Sequence, residues 1–129
     1  MKTCYLITSF FFALLVLASC SGSDVYQGHW KATDPDGKKY EINFEPEIFS
    51  IKDQSGHVDK FEYTQNSIKI ENSVKTYGIH ISDGRAYTIF FPIANDTSKA
   101  VILFQNTQPL YTISRTSYIE YKDLYKLKK

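Results

Sequence analysis

The chain has 129 residues, with 15 Lys and Arg against 14 Asp and Glu. That length suits one domain, and a net charge of +1 leaves no electrostatic footprint for nucleic acid. Both cysteines, Cys4 and Cys20, lie near the N-terminus, so the rest of the chain must hold its fold through its core alone.

The first residues have the three parts of an export signal. Lys2 supplies the positive start. Tyr5 to Ala18 is almost wholly apolar, centred on Phe10, Phe11, Phe12, Leu14, Leu15 and Leu17. Small residues follow, from Ala18 to Gly22. The apolar run is shorter than the ~20 residues of a membrane-spanning helix, which remains the alternative reading. The stretch Leu17-Ala18-Ser19-Cys20 resembles the lipobox of bacterial lipoproteins. The resemblance implies diacylglycerol on the Cys20 sulfur, cleavage before Cys20 and acylation of the new amino group. Two or more acyl chains hold stably to a membrane where one does not.

This reading divides the chain into a signal peptide over 1–19, a lipidated Cys20 with a short tether over 20–27, and a folded domain over 28–129. From Cys20 onward the chain retains 14 basic and 14 acidic side chains once Lys2 is lost. The tether carries only one acid, Asp24. The acidic run after the cysteine that marks some surface-displayed lipoproteins of the Bacteroidetes is therefore missing. The expected location is the outer membrane, lipid-anchored and facing the periplasm.

From Gly28 onward the dominant period is two. Tyr40-Glu41-Ile42-Asn43-Phe44-Glu45 alternates apolar and polar residues, as a half-buried antiparallel strand does. The pattern predicts nine short strands, near 28–33, 39–45, 48–52, 58–64, 67–72, 75–82, 86–92, 99–105 and 110–115. Turn signals separate them, including Asp34-Pro35-Asp36-Gly37, Gln65-Asn66 as a two-residue hairpin loop, Ser82-Asp83-Gly84 and Asn106-Thr107-Gln108-Pro109. The fold class is all-β: an antiparallel up-and-down meander closing into a small barrel of 8–9 strands, which removes exposed edges. A two-sheet sandwich is the rival.

At the end the period changes. Ser117-Tyr118-Ile119-Glu120 has the form of a capping box, and Tyr118, Tyr121 and Tyr125 follow at helical spacing. A short C-terminal helix over about 117–126 is expected, with a further strand as the alternative. Phe90, Val101 and Leu103 fall on the outer face. Either the helix covers them through its tyrosines or they form a protein-binding patch.

Gly28-His29-Trp30 opens the first strand, and Arg115 sits at the end of the last. This pairing is similar to the Gly-x-Trp motif and the late Arg of lipocalins and related calycin barrels. The resemblance implies a Trp packed at the closed end of the barrel with the Arg lying across its face, a cation–π pair. It runs over residues 28–115 and is nearest to the compact lipocalin-like lipoproteins of the Bacteroidetes, without the Thr-Asp-x pattern of the family.

Little in the chain promises catalysis. His29, His57 and His80 lack the spacing of a metal set. There is no Gly-x-Ser-x-Gly and no Gly-rich phosphate loop. Carboxylate separation, which decides a glycosidase pair, is not visible in a sequence. No enzyme activity, metal or cofactor is expected. The distinctive feature is aromatic content: nine Tyr, six Phe and one Trp from Cys20 onward. The candidate interior of the barrel is Trp30, Tyr40, Phe44, Phe61, Tyr63, Tyr77, Tyr87, Phe104, Tyr111 and Arg115. These side chains line a ligand cavity or fill a core; a barrel of this size is only just wide enough for either. The expected partners are a membrane, reached through the N-terminal lipid, and either a small apolar or aromatic ligand or an envelope protein. The leading function is a non-catalytic binding module. The alternative is a protein-interaction role as an inhibitor, immunity protein or accessory subunit.

Overall fold

The structure is a computed structural model that describes residues 25–105 and 107–126, the side chain of Tyr125 excepted. The signal peptide, Cys20 and its acylation lie outside the described residues. Eight antiparallel strands form one closed barrel in sequence order. They are β1 (Gly28–Thr33), β2 (Lys39–Phe44), β3 (Ile48–Lys52), β4 (Val58–Glu71), β5 (Val74–Ile81), β6 (Ala86–Phe91), β7 (Lys99–Phe104) and β8 (Gln108–Ser114). A short helix, α1 (Tyr121–Lys126), packs on β8. The meander, the closure and the terminal helix agree with the alternating pattern, and the sandwich is set aside.

The strand count corrects the sequence reading in one place. The expected strands 58–64 and 67–72 are a single strand, β4, and Gln65-Asn66 is not a hairpin loop. The pairing of β4 with β5 shifts between Gln65 and Ser67. The extra residue of such a bulge changes which parity faces inward: Phe61 and Tyr63 point in before it, Ile68 shares the face of Tyr77 after it. In a sequence that change of phase looks like a turn. Gly78 allows the bulge, because a Cβ there would stand 2.3 Å from Ser67 Oγ and 2.8 Å from Asn66 Oδ1. The true hairpin turn is Asn72-Ser73, both with positive φ (52° and 64°), as a type I′ turn requires.

The last strand also begins earlier than the expected 110–115, at Gln108. Pro109 is tolerated because its partner Leu103 lies where the β7–β8 register slips, and such irregularities accept a residue without an N–H. The helix is shorter than expected. Ser117 does not cap it. The first helical bond runs from Leu124 N–H to the Glu120 carbonyl, so Glu120 holds the cap position.

The core is the barrel interior. Trp30, Phe44, Phe49, Tyr63, Tyr77 and Phe91 are each at most 4% exposed, joined by Ile42, Ile79, Ile81, Ile89, Ile102 and Ile113. The packed body begins before β1. Tyr26, within the stretch read as tether, is 2% exposed. Its ring packs edge-on to Phe44 and Tyr77, with centroids 5.3 Å away in both cases, and its hydroxyl donates to Gln65 Oε1 at 2.9 Å. Tyr26 thus plugs the end of the barrel at which the chain enters. Outside the barrel, Leu124 of α1 has no exposed surface, and the outward Val101, Thr112 and Ser114 are buried as well. Leu124, rather than Tyr118 or Tyr121, is the buried side chain of this cover. Tyr118 lies instead against Lys31 and Lys39, and Tyr121 is 41% exposed.

Candidate functional site

The ten interior candidates separate into two groups along the barrel axis. At the closed end, Trp30, Phe44, Tyr63 and Tyr77 are buried among their own rings. Trp30 Nε1 donates to the Tyr26 carbonyl at 2.7 Å. The Arg115 guanidinium carbon lies 3.7 Å from the indole centroid, while its nitrogens donate to the carbonyls of His29 (2.9 Å), Val25 (3.0 Å) and Gln27 (2.7 Å). Arg115 stands one residue beyond β8 and is half-buried. Tyr63 donates its hydroxyl to the Glu45 carbonyl, and burial pushes its pKa well above the phenol range. These side chains hold this end of the barrel shut.

At the other end Tyr40, Phe61, Tyr87, Phe104 and Tyr111 form a rim. Tyr87 is 8% exposed and the others are half-buried. Tyr40 and Tyr111 meet edge-on at 5.3 Å, Tyr87 and Phe104 at 6.2 Å. Tyr40 donates to Asp34 Oδ2 at 3.2 Å. Arg85, which sequence reasoning did not single out, sits beside the rim. Its guanidinium lies 5.0 Å from the Phe61 centroid and 5.3 Å from that of Tyr87. It donates to the Tyr87 hydroxyl at 2.6 Å and pairs with Asp83 at 2.7 Å. That pair holds the Asp83 carboxyl below its usual range. The Tyr111 hydroxyl has no hydrogen-bond partner among the described residues, and burial pushes its pKa up to about 12.

Beside this rim lies a groove of about 440 Å³ between the β1–β2 turn, β8 and the start of α1. It exists because β1 accompanies β8 only from Lys31 to Thr33, opposite Ser114 to Thr112, so Gln108 to Tyr111 run on without that neighbour. Its walls include Pro35, Pro109, Leu110 and Tyr121. Thr33, also in its lining, is 4% exposed and its hydroxyl is buried without a partner. A second depression, about 590 Å³, runs over the outer wall past Pro46, Ile48, Glu62 and His80. Neither is lined by Trp30, Phe44, Phe49, Tyr77 or Phe91.

The histidines are dispersed. His29 and His80 are exposed on outward faces, and His57 pairs with Asp59 at 3.0 Å in a turn. Among the described residues no three His, Cys, Asp or Glu side chains gather as a metal set would. No helix among them is long and apolar enough to cross a membrane.

Fold and rim together define a closed eight-stranded antiparallel barrel with an aromatic end and an adjoining apolar groove. No family model, curated protein or solved structure matches the chain.

Proposed function

We propose that this chain is a lipocalin-like lipoprotein of the Bacteroidetes type, anchored through Cys20 in the outer membrane and facing the periplasm, and that it recognises another envelope protein. The recognition surface is the aromatic rim with the groove beside it. One observation carries this reading. The interior is occupied by the chain's own rings, so the apolar and aromatic surface available to a partner is on the outside. Tyr and Arg, both present at the rim, are among the side chains that dominate protein–protein binding energy. The orphaned Thr33 hydroxyl beneath the groove favours an occupant that can donate or accept a hydrogen bond. The absence of an activated nucleophile or cofactor loop in the sequence favours a binding role over an enzymatic one.

A second reading has its own support. The free Tyr111 hydroxyl, on a ring that meets Tyr40 edge-on, and the Arg85 guanidinium held at Tyr87 suit a small aromatic molecule bearing an acid group at the rim. Photo-crosslinking in intact cells separates the two. A photoreactive residue at Tyr121 should capture a discrete protein, and one at Lys60, on the outer wall, should not. Arg85→Ala and Leu110→Ala should weaken the capture. Protein capture absent from both positions, with a small molecule retained on the purified protein, would replace the first reading by the second. Cys20→Ala tests the anchor: processing and membrane fractionation unchanged in that variant would refute the lipoprotein assignment.

A further inference from the structure

We propose that the β4–β5 hairpin is a second membrane contact, which seats the closed end of the barrel on the bilayer and points the aromatic rim away from it. The proposal rests on the lipoprotein reading. Four observations support it.

First, β4 outruns its neighbour β3, while β5 keeps its pairing with β6 as far as Lys75. Past the bulge, Ser67 to Glu71 pair only with β5, whereas β3 stops pairing at Glu62. From Ile68, opposite the Tyr77 ring on which Tyr26 packs, to Glu71 is about 10 Å along the strand. Second, the inner face of the hairpin carries two uncovered isoleucines beside Lys75, the register partner of Ile70, whose cation suits an anionic headgroup. Ile68 is 49% and Ile70 59% exposed, although Ile68 shares the face of the buried Tyr77. With Ile48, three of the five exposed large hydrophobic side chains among the described residues lie at this end. Third, the tip is braced. Asn95 N–H donates to the Ser73 carbonyl at 3.1 Å, tying the turn to the β6–β7 loop, whose half-buried Ile93 shares a depression with Ile70.

Fourth, the chain enters at this end. Val25 is five residues from Cys20, so the lipidated cysteine stays within about 17 Å of the barrel floor. The tether is thus short enough to hold this end of the barrel at the bilayer surface. The segment between, Ser21-Gly22-Ser23-Asp24, is polar and does not match two isoleucines; an acyl-chain surface does. The acids nearest the tip are paired, Glu71 with Lys69 at 3.5 Å and Asp96 with Lys99 at 4.0 Å. Glu45 and Glu47, on the β2–β3 loop of the same end, are exposed. The barrel therefore sits tilted, hairpin down, with that loop in water.

The test uses the processed, lipidated chain in vesicles of phosphatidylethanolamine and phosphatidylglycerol. Lipid occupies the Cys20 thiol, so Ile70→Cys places one reactive thiol on the hairpin. Val58→Cys, at the opposite end and 44% exposed, is the control. An environment-sensitive fluorophore at position 70 should shift to shorter wavelength. Spin-labelled lipid should quench it several-fold more strongly than the fluorophore at position 58. Adding Ile68→Asp to Ile70→Cys should abolish that difference while the thermal midpoint stays unchanged. Equal quenching at the two positions on an acylated chain overturns the hairpin contact and leaves the anchor standing. A chain whose intact mass shows no acyl groups overturns both. Shielding at position 70 that requires envelope protein and not lipid assigns the hairpin to a protein partner and overturns the membrane contact.

Discussion

The guanidinium carbon of Arg115 lies 3.7 Å from the Trp30 indole centroid, while its nitrogens fasten the carbonyls of Val25, Gln27 and His29, at and just before the start of β1. Because β1 and β8 pair over only three positions, this side chain closes much of the seam between first and last strands. Arg115→Ala should lower stability by roughly 2–4 kcal/mol, from the lost cation–π contact and the stranded carbonyls. Arg115→Lys should recover less than half, since an ammonium keeps the charge but not the planar fork. Denaturant midpoints at unchanged slope measure both. A Lys variant as stable as the parent would show that charge alone suffices.

Trp30 is 1% exposed, with its nitrogen bonded to the Tyr26 carbonyl. Trp30→Ala should cost about 3–5 kcal/mol, as large-to-small changes in packed cores do. Trp30→Phe keeps most of the apolar volume but strands that carbonyl, and should cost less. A loss below about 1 kcal/mol for the alanine variant would mean that the ring does not hold the closed end.

Gly28 adopts φ of 101°, and a Cβ there would stand 3.0 Å from Arg115 Nη1. Gly28→Ala should therefore cost about 1–3 kcal/mol, from the left-handed backbone and the crowding together. The crowding part should vanish in the Gly28→Ala, Arg115→Ala double variant. A coupling of zero in that double-mutant cycle would remove Arg115 from the explanation.

Burial raises the pKa of Tyr111 from 10.0 to about 12. The folded chain holds that proton more tightly than the unfolded chain. The resulting stability is complete below pH 10 and is lost as pH rises through about 12. Tyr26, Tyr63 and Tyr87 are raised in the same direction, burial being the largest cause in each. The barrel should weaken steeply in alkali. Tyr111→Phe should remove about 1.4 kcal/mol of that loss at about pH 11 while changing stability little at neutral pH, where its hydroxyl has no partner to lose. Urea melts at about pH 8 and about pH 11 test the difference. Equal alkaline losses in parent and variant would show that Tyr111 ionises normally.

Much of the architecture was legible in the residues. Strict alternation in Tyr40 to Phe44 and Tyr77 to Ile81 fixes which side chains face inward, because the strand period is two. The rings expected inside are those that the core contains or packs against. The error at Gln65-Asn66 has a specific cause. A bulge and a turn both break the alternation, and only pairing with β5 distinguishes them. Asn72-Ser73 lacks the glycine that usually marks a type I′ turn, so the real turn gave no strong signal. Tyr26 was missed because nothing in Val25-Tyr26-Gln27 alternates; its burial comes from the floor that Phe44, Tyr63 and Tyr77 build around it. Arg85 was missed because its place beside Phe61 depends on strands that are distant in sequence.

Local order along the chain determined most of the strands and their inward faces, and it confines both cysteines to the first twenty residues, since period and cysteine position are properties of neighbours. Tertiary structure alone decided that the barrel closes on eight strands, that its rings divide into a sealed floor and an open rim, and that two isoleucines on an inward face stand uncovered. Those outcomes depend on which strand ends first beside its partner, and strand lengths become comparable only once the sheet has closed.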